Sequence, residues 1–220
     1  LKEIVIIKFE YMKLRLSVVI ILIAVALISL IHPPFLQDQL LQHLGTVVLL
    51  IPLIIDIPRQ KLSQAAFLGV AVFILLHILG ARYIYSYVPY ESCFKSWFHI
   101  DVNGILHTTR NDYDRFVHLN FGILFFPFFY AMSLKYVTQK RLAALFSAWM
   151  MVQTGSMLYE LFEGLVTWVM SPQAAADYNG QQGDMWDSQK DMAMALVGST
   201  FMYIVYRIRW ACRKRKENVS

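Results

Sequence analysis

Apolar residues gather in six long runs divided by short polar connections. The runs cover residues 16–31, 40–55, 65–85, 116–136, 142–170 and 191–210. At a helical rise of about 1.5 Å per residue, some 20 apolar residues cross a hydrocarbon layer of about 30 Å. Inside lipid a backbone must satisfy its own hydrogen bonds, so runs of this length become helices. The pattern predicts an all-α fold, a polytopic membrane bundle of about six transmembrane helices forming one domain over residues 1–220.

Lysine and arginine set the expected orientation. The flank before the first run (Lys8, Lys13, Arg15), the second connection (Arg59, Lys61), the fourth (Lys135, Lys140, Arg141) and the tail from Arg207 to Lys216 are basic. All fall on one side of a six-helix arrangement, which places both termini in the cytoplasm. Connections 86–114 and 171–189 then lie outside, and the latter is acidic. Residues 1–11 precede Met12 and read as an upstream extension. The Lys13/Arg15 flank resembles a signal peptide, but the run ends at His32-Pro33-Pro34 without a small-residue cleavage site, so a retained first span is expected.

Composition agrees: 57% hydrophobic and 16% charged residues, with mean hydropathy +0.47, exceed what a soluble domain of 220 residues carries. The net charge of +5 raises nucleic acid as a partner, but the basic residues sit at the ends of apolar runs, where they fix topology; membrane lipids are the expected partners. Cys93 and Cys212 fall on opposite sides of the expected topology and form no disulfide or thiolate metal pair. There is no HExxH, GxSxG or phosphate-binding glycine loop.

The candidate chemistry is acidic and lies in the second half. GQQGDMWDSQKDM sets Asp184, Asp187 and Asp191 against the last apolar run, on one face if helical. Carboxylates near hydrocarbon usually pair, bind an ion or line a wet cavity. In RNDYDRFVHLNFG, Asp114 and His118 are one helical turn apart, spaced as two metal ligands, as a carboxylate orienting an imidazole, or as a helix cap beside a solvated histidine. Glu160 and Glu163 share a turn about 27 Å along the fifth run; either one is protonated or something positive is bound, with Arg82 or Arg115 as candidate partner. His77 lies about 18 Å into the third run, as a packed hydrogen-bonding group or a further ligand, and Arg82 as a snorkelling side chain or a phosphate clamp. Gly80 and Ala81 are small enough for close helix approach.

The expected metal ligands are therefore Asp114, His118, Glu160, Asp187, Asp191 and His77, holding a divalent ion. The expected catalytic groups are Glu160, Glu163 and Asp184, with Arg82 and Arg115 gripping phosphate. Oxygen ligands favour magnesium, manganese or calcium; histidine admits zinc or iron. This supports a metal-dependent hydrolase or transferase acting on a lipid-linked or phosphorylated envelope substrate. The alternatives are a transporter or permease using membrane carboxylates, and a non-catalytic binder of lipids or antibiotics.

The stretches HILGARYIYSYVP, RNDYDRFVHLNFG, YELFEG and GDMWDSQKDM, in that order, resemble the YjdF-type family of uncharacterised inner-membrane proteins. More distantly, Asp114-x3-His118, Glu160-x2-Glu163 and Asp187-x3-Asp191, with Gly198 beyond, are similar to the pattern of VanZ-like membrane proteins, some linked to glycopeptide-antibiotic resistance. Those tend to carry Gln and Asn where this chain has Glu163 and Asp191, so its site is more acidic. The resemblance implies an inner-membrane location and an important polar site, and supplies no reaction.

Overall fold

The computed structural model describes residues 2–169 and 182–217. Eight helices follow in order among them: α1 Lys2–Ser29, α2 Leu36–Arg59, α3 Gln64–Arg82, α4 Tyr90–Phe98, α5 Val102–Leu106, α6 Tyr113–Tyr136, α7 Arg141–Val169 and α8 Asp187–Glu217. No strand occurs among the described residues. Pro33 and Pro34 follow the end of α1, and α2 closes on Gln60 in the left-handed region, whose N–H returns to the Asp56 carbonyl at 2.8 Å. The Ser63 hydroxyl caps α3 by accepting from the Ala66 N–H at 3.2 Å.

Among the described residues four helices are long and apolar enough to cross a membrane: α1 over Ile6–Ser29, α2, α3 and α6. The expected fifth and sixth spans form α7 and α8, of 29 and 31 residues; both are long enough to cross, and the basic end of α8 lowers its apolar character. Residues 170–181, holding the end of the fifth expected run and most of the expected 171–189 loop, lie outside the described residues. Connection 86–114, expected as a loop, contains two short helices and the start of α6.

α3 is the spine. Phe67, Val70 and Ile74 on it are fully buried, in a core shared with α1, α2 and α6 through Leu22, Leu53 and Phe125. A smaller cluster joins Phe126 of α6, Leu145 and Ala148 of α7 and Tyr206 of α8. The outer surface is hydrocarbon: Ile20, Val47, Ile51, Leu161 and Phe201 are all exposed. A bundle that presents such side chains outward and buries polar ones is built for lipid.

One buried ion pair fastens α1 to the α2–α3 turn. Arg15 pairs with Asp56 and donates to the Leu62 carbonyl at 2.7 Å, while Asp56 accepts from the backbone N–H groups of Lys61 and Leu62 at 2.7 and 3.1 Å. Arg15, expected as a topology charge, is thus a structural clasp at 4% exposure.

Candidate functional site

Glycine brings the site together. A Cβ on Gly122 of α6 or Gly198 of α8 would collide with the backbone of the other helix. The two therefore cross at backbone contact, running in the same direction from their starts. Asp114 and His118 lie two turns and one turn before Gly122; Asp191 and Asp187 lie about two and three turns before Gly198. α7 returns alongside, and its Ser156 and Glu160 share a face one turn apart.

The acidic groups form two layers that share Asp191. In the inner layer, His118, Glu160 and Asp191 each offer one ligand atom, all within 4.8 Å of one another. In the outer layer, Asp114, Asp187 and Asp191 do the same. These five residues are between 3% and 9% exposed.

The outer layer is neutralised by arginine. The Arg110 guanidinium spans Asp114 and Asp187, with Asp112 at 3.4 Å and Asp184 at 3.7 Å. Arg115 sits beside it, 2.9 Å from Asp112, 2.6 Å from Asp184 and 3.5 Å from Asp187, and Lys190 also pairs with Asp184. Burial opposes the Arg110 charge, but the Asp187 hydrogen bond and the fields of Asp114, Asp187 and Asp112 outweigh it and raise the guanidinium pKa. Asp184, in the turn before α8, is held down at about 2, chiefly by its bond from Lys190 and by the Trp186 N–H.

The inner layer has no such partner. Among the described residues no lysine or arginine forms an ion pair with Glu160 or Asp191, and Glu160 Oε1 and Asp191 Oδ1 are buried without a hydrogen bond. His118 Nε2 stands 3.1 Å from Glu160 Oε1, yet that oxygen receives no hydrogen bond, so the distance marks a side-by-side approach rather than an aligned N–H···O bond. The other ring nitrogen, Nδ1, meets the Ser156 hydroxyl at 3.3 Å. His118 and Ser156 also face an apolar cavity of about 550 Å³ between α2, α3, α6 and α7.

Asp114, His118, Glu160, Asp187 and Asp191 thus converge as expected, and Asp184 and Arg115 stand at the rim. Glu163 lies further along α7, bonded to Tyr159 and outside both ligand groups. Two expected members stand elsewhere. Arg82 donates to the carbonyls of Ser29 and Ile31, capping the open end of α1. His77 has both nitrogens occupied, Nδ1 by the Tyr85 hydroxyl and Nε2 by the Gln42 carbonyl at 3.1 Å. Gly80, expected to admit a neighbouring helix, instead makes room for the Tyr85 ring, which a Cβ would meet at 2.6 Å; left-handed Ile84 and Tyr85 fold that ring back over α3.

Arg110, Ser156 and Lys190 join the site without having been among its expected members. Ser156 was findable, four residues before Glu160 on the same helical face. Arg110 also lies four before Asp114, but ahead of the helix start, where that spacing implies nothing.

No solved structure matches the chain. The inner membrane protein YjdF of Escherichia coli (strain K12) is 27% identical over 179 residues, covering 79% of each chain. A family model described as "Predicted membrane protein (DUF2238)" matches residues 14–211. That span reaches into every long helix and includes both layers of the acidic site, and the chain belongs to this family of membrane proteins.

Proposed function

We propose that the chain is an inner-membrane, metal-dependent hydrolase or transferase acting on a lipid-linked or phosphorylated envelope substrate. His118, Glu160 and Asp191 hold the ion. One observation carries this: Glu160 Oε1 and Asp191 Oδ1 are buried without partners beside an imidazole nitrogen. Ionised carboxylates left so cost several kcal/mol each, and either protonation or a divalent cation between them removes the penalty. One imidazole with two carboxylates suits zinc, iron or manganese better than calcium. Ser156 would orient His118, accepting from Nδ1 so that Nε2 presents its lone pair to the ion.

When bound, the ion would polarise a phosphoryl or carbonyl oxygen and lower the pKa of water. At the rim Arg110 and Arg115 are paired with Asp112, Asp114, Asp184 and Asp187, so a phosphoryl group, expected to be gripped by Arg82 and Arg115, would have to compete with those carboxylates for either guanidinium. Asp114 and Asp187 hold the Arg110 fork in position. A coupling role in a permease has less support, because the carboxylates gather at one end of the bundle.

The same reading takes α7 and α8 as fifth and sixth spans, with both termini cytoplasmic and the acidic site near the extracytoplasmic face. Exposed Leu158, Leu161 and Leu165 on α7 and Val197, Phe201 and Ile204 on α8 support it. The test is elemental analysis of purified protein. About one equivalent of a transition metal is expected, and it should be lost in Glu160→Gln/Asp191→Asn. A metal-free wild type with the same unfolding temperature as that variant overturns the proposal.

A further inference from the structure

The cavity beside His118 is shaped for something other than the polar site it adjoins. On α6 its wall runs from Val117 and His118 through Phe121 and Phe125 to Phe129. From His118 to Phe129 is about 16 Å at 1.5 Å per residue, about half of a ~30 Å hydrocarbon layer. The space therefore follows one leaflet, with its polar end at the acidic site.

The lining has no lysine, arginine, aspartate or glutamate. Its polar groups are tied off: His77 to Tyr85 and Gln42, Tyr159 to the Gln42 side chain at 3.5 Å, and Ser156 to His118. A sugar or free anion would find nothing to bond along the wall. At about 550 Å³ the cavity is large enough for a small-molecule ligand. Leu44 and Val48 of α2 and Phe162 of α7 line it and are also exposed, so its mouth lies among apolar side chains of these two helices.

We infer that this cavity binds one hydrocarbon chain of a membrane lipid, entering between α2 and α7 and lying along α6, with the lipid's polar head at His118. The inference deepens the reading above by making the substrate a lipid delivered from the leaflet, and it rests on that reading only for the head. Gly155 suits such a channel: a Cβ there would meet the Phe121 ring at 3.0 Å, and a larger side chain would push into the space.

The test is photolabelling of the full chain in phosphatidylcholine vesicles, the probe being phosphatidic acid with a diazirine at the end of one acyl chain. Label is expected on the α6 segment around Phe125 and Phe129 above that on outward-facing Ile20. Val48→Trp, which fills the opening, should lose the α6 label, whereas Ile51→Trp on the same helix should keep it. Gly155→Phe, which fills the space from α7, should lose it as well and serves if Val48→Trp fails to fold. Label no higher at Phe125 than at Ile20, or unchanged in the filled variants, overturns the inference. Glu160→Gln/Asp191→Asn separates the two readings. Loss of metal with label retained is the expected result; metal in the wild type without α6 label defeats the lipid site alone, and α6 label without metal in the wild type defeats the metal reading alone.

Discussion

Removing Arg110 is the sharpest test of the outer layer. Its side chain is 10% exposed, and the side chains of the carboxylates it bridges, Asp114 and Asp187, are 12% and 3% exposed, against 9% and 3% for those whole residues. Arg110→Ala leaves both buried and short of a cation. Breaking a buried pair by deleting one partner costs about 3–5 kcal/mol, most of it the uncompensated charge left behind. The two pairs share one guanidinium and Arg115 stays 3.5 Å from Asp187, so the loss should not double. At roughly 2–4 °C per kcal/mol for a chain of this size, the unfolding temperature of detergent-solubilised protein should fall by about 6–20 °C. Arg110→Lys should recover only part, since a point charge cannot span two carboxylates. In an Asp114→Asn/Asp187→Asn background the same deletion should cost only about 1–2 kcal/mol, because the coupling has gone. An Arg110→Ala protein within about 0.5 kcal/mol of wild type would refute the claim that this arginine neutralises the layer.

Two further outcomes follow from the geometry. Gly198→Ala places a methyl against the Leu119 carbonyl and should destabilise by about 1–3 kcal/mol while lowering metal content, whereas Gly164→Ala, with open space around it, should be neutral or stabilising by up to ~1 kcal/mol; thermal unfolding with elemental analysis reads both. Asp184 is depressed to about 2 from 3.8, so its stabilising contribution is complete above the ordinary carboxylate range and is lost as pH falls through about 2. Lys190→Ala should move that titration upward toward 3.8, seen as a shifted carboxyl carbon midpoint by NMR, and an unmoved midpoint would show that Lys190 does not hold it down.

The long helices were legible because the length of an apolar run is a local property, written in consecutive residues. Partners were not, because they depend on which backbone groups the fold leaves open. Arg82 lies at the expected depth for the site, but α1 ends beside it with bare carbonyls before Pro33 and Pro34, and a guanidinium satisfies those first. His77 was open to a ligand's role until two left-handed residues swung Tyr85 over Gly80 and onto its ring. The convergence of Asp114, His118, Glu160, Asp187 and Asp191 could be anticipated, since spacings of three and four set each pair on one helical face. Their division could not. Asp187 and Asp191 are one turn apart on the same face, yet Asp187 receives Arg110 from a loop far away in sequence, and Asp191 keeps an oxygen with no hydrogen bond. Among the described residues three cations meet four carboxylates at the rim, whereas an imidazole and two carboxylates meet no lysine or arginine in an ion pair within. That imbalance, rather than the number of acidic residues, is what the proposed metal site rests on.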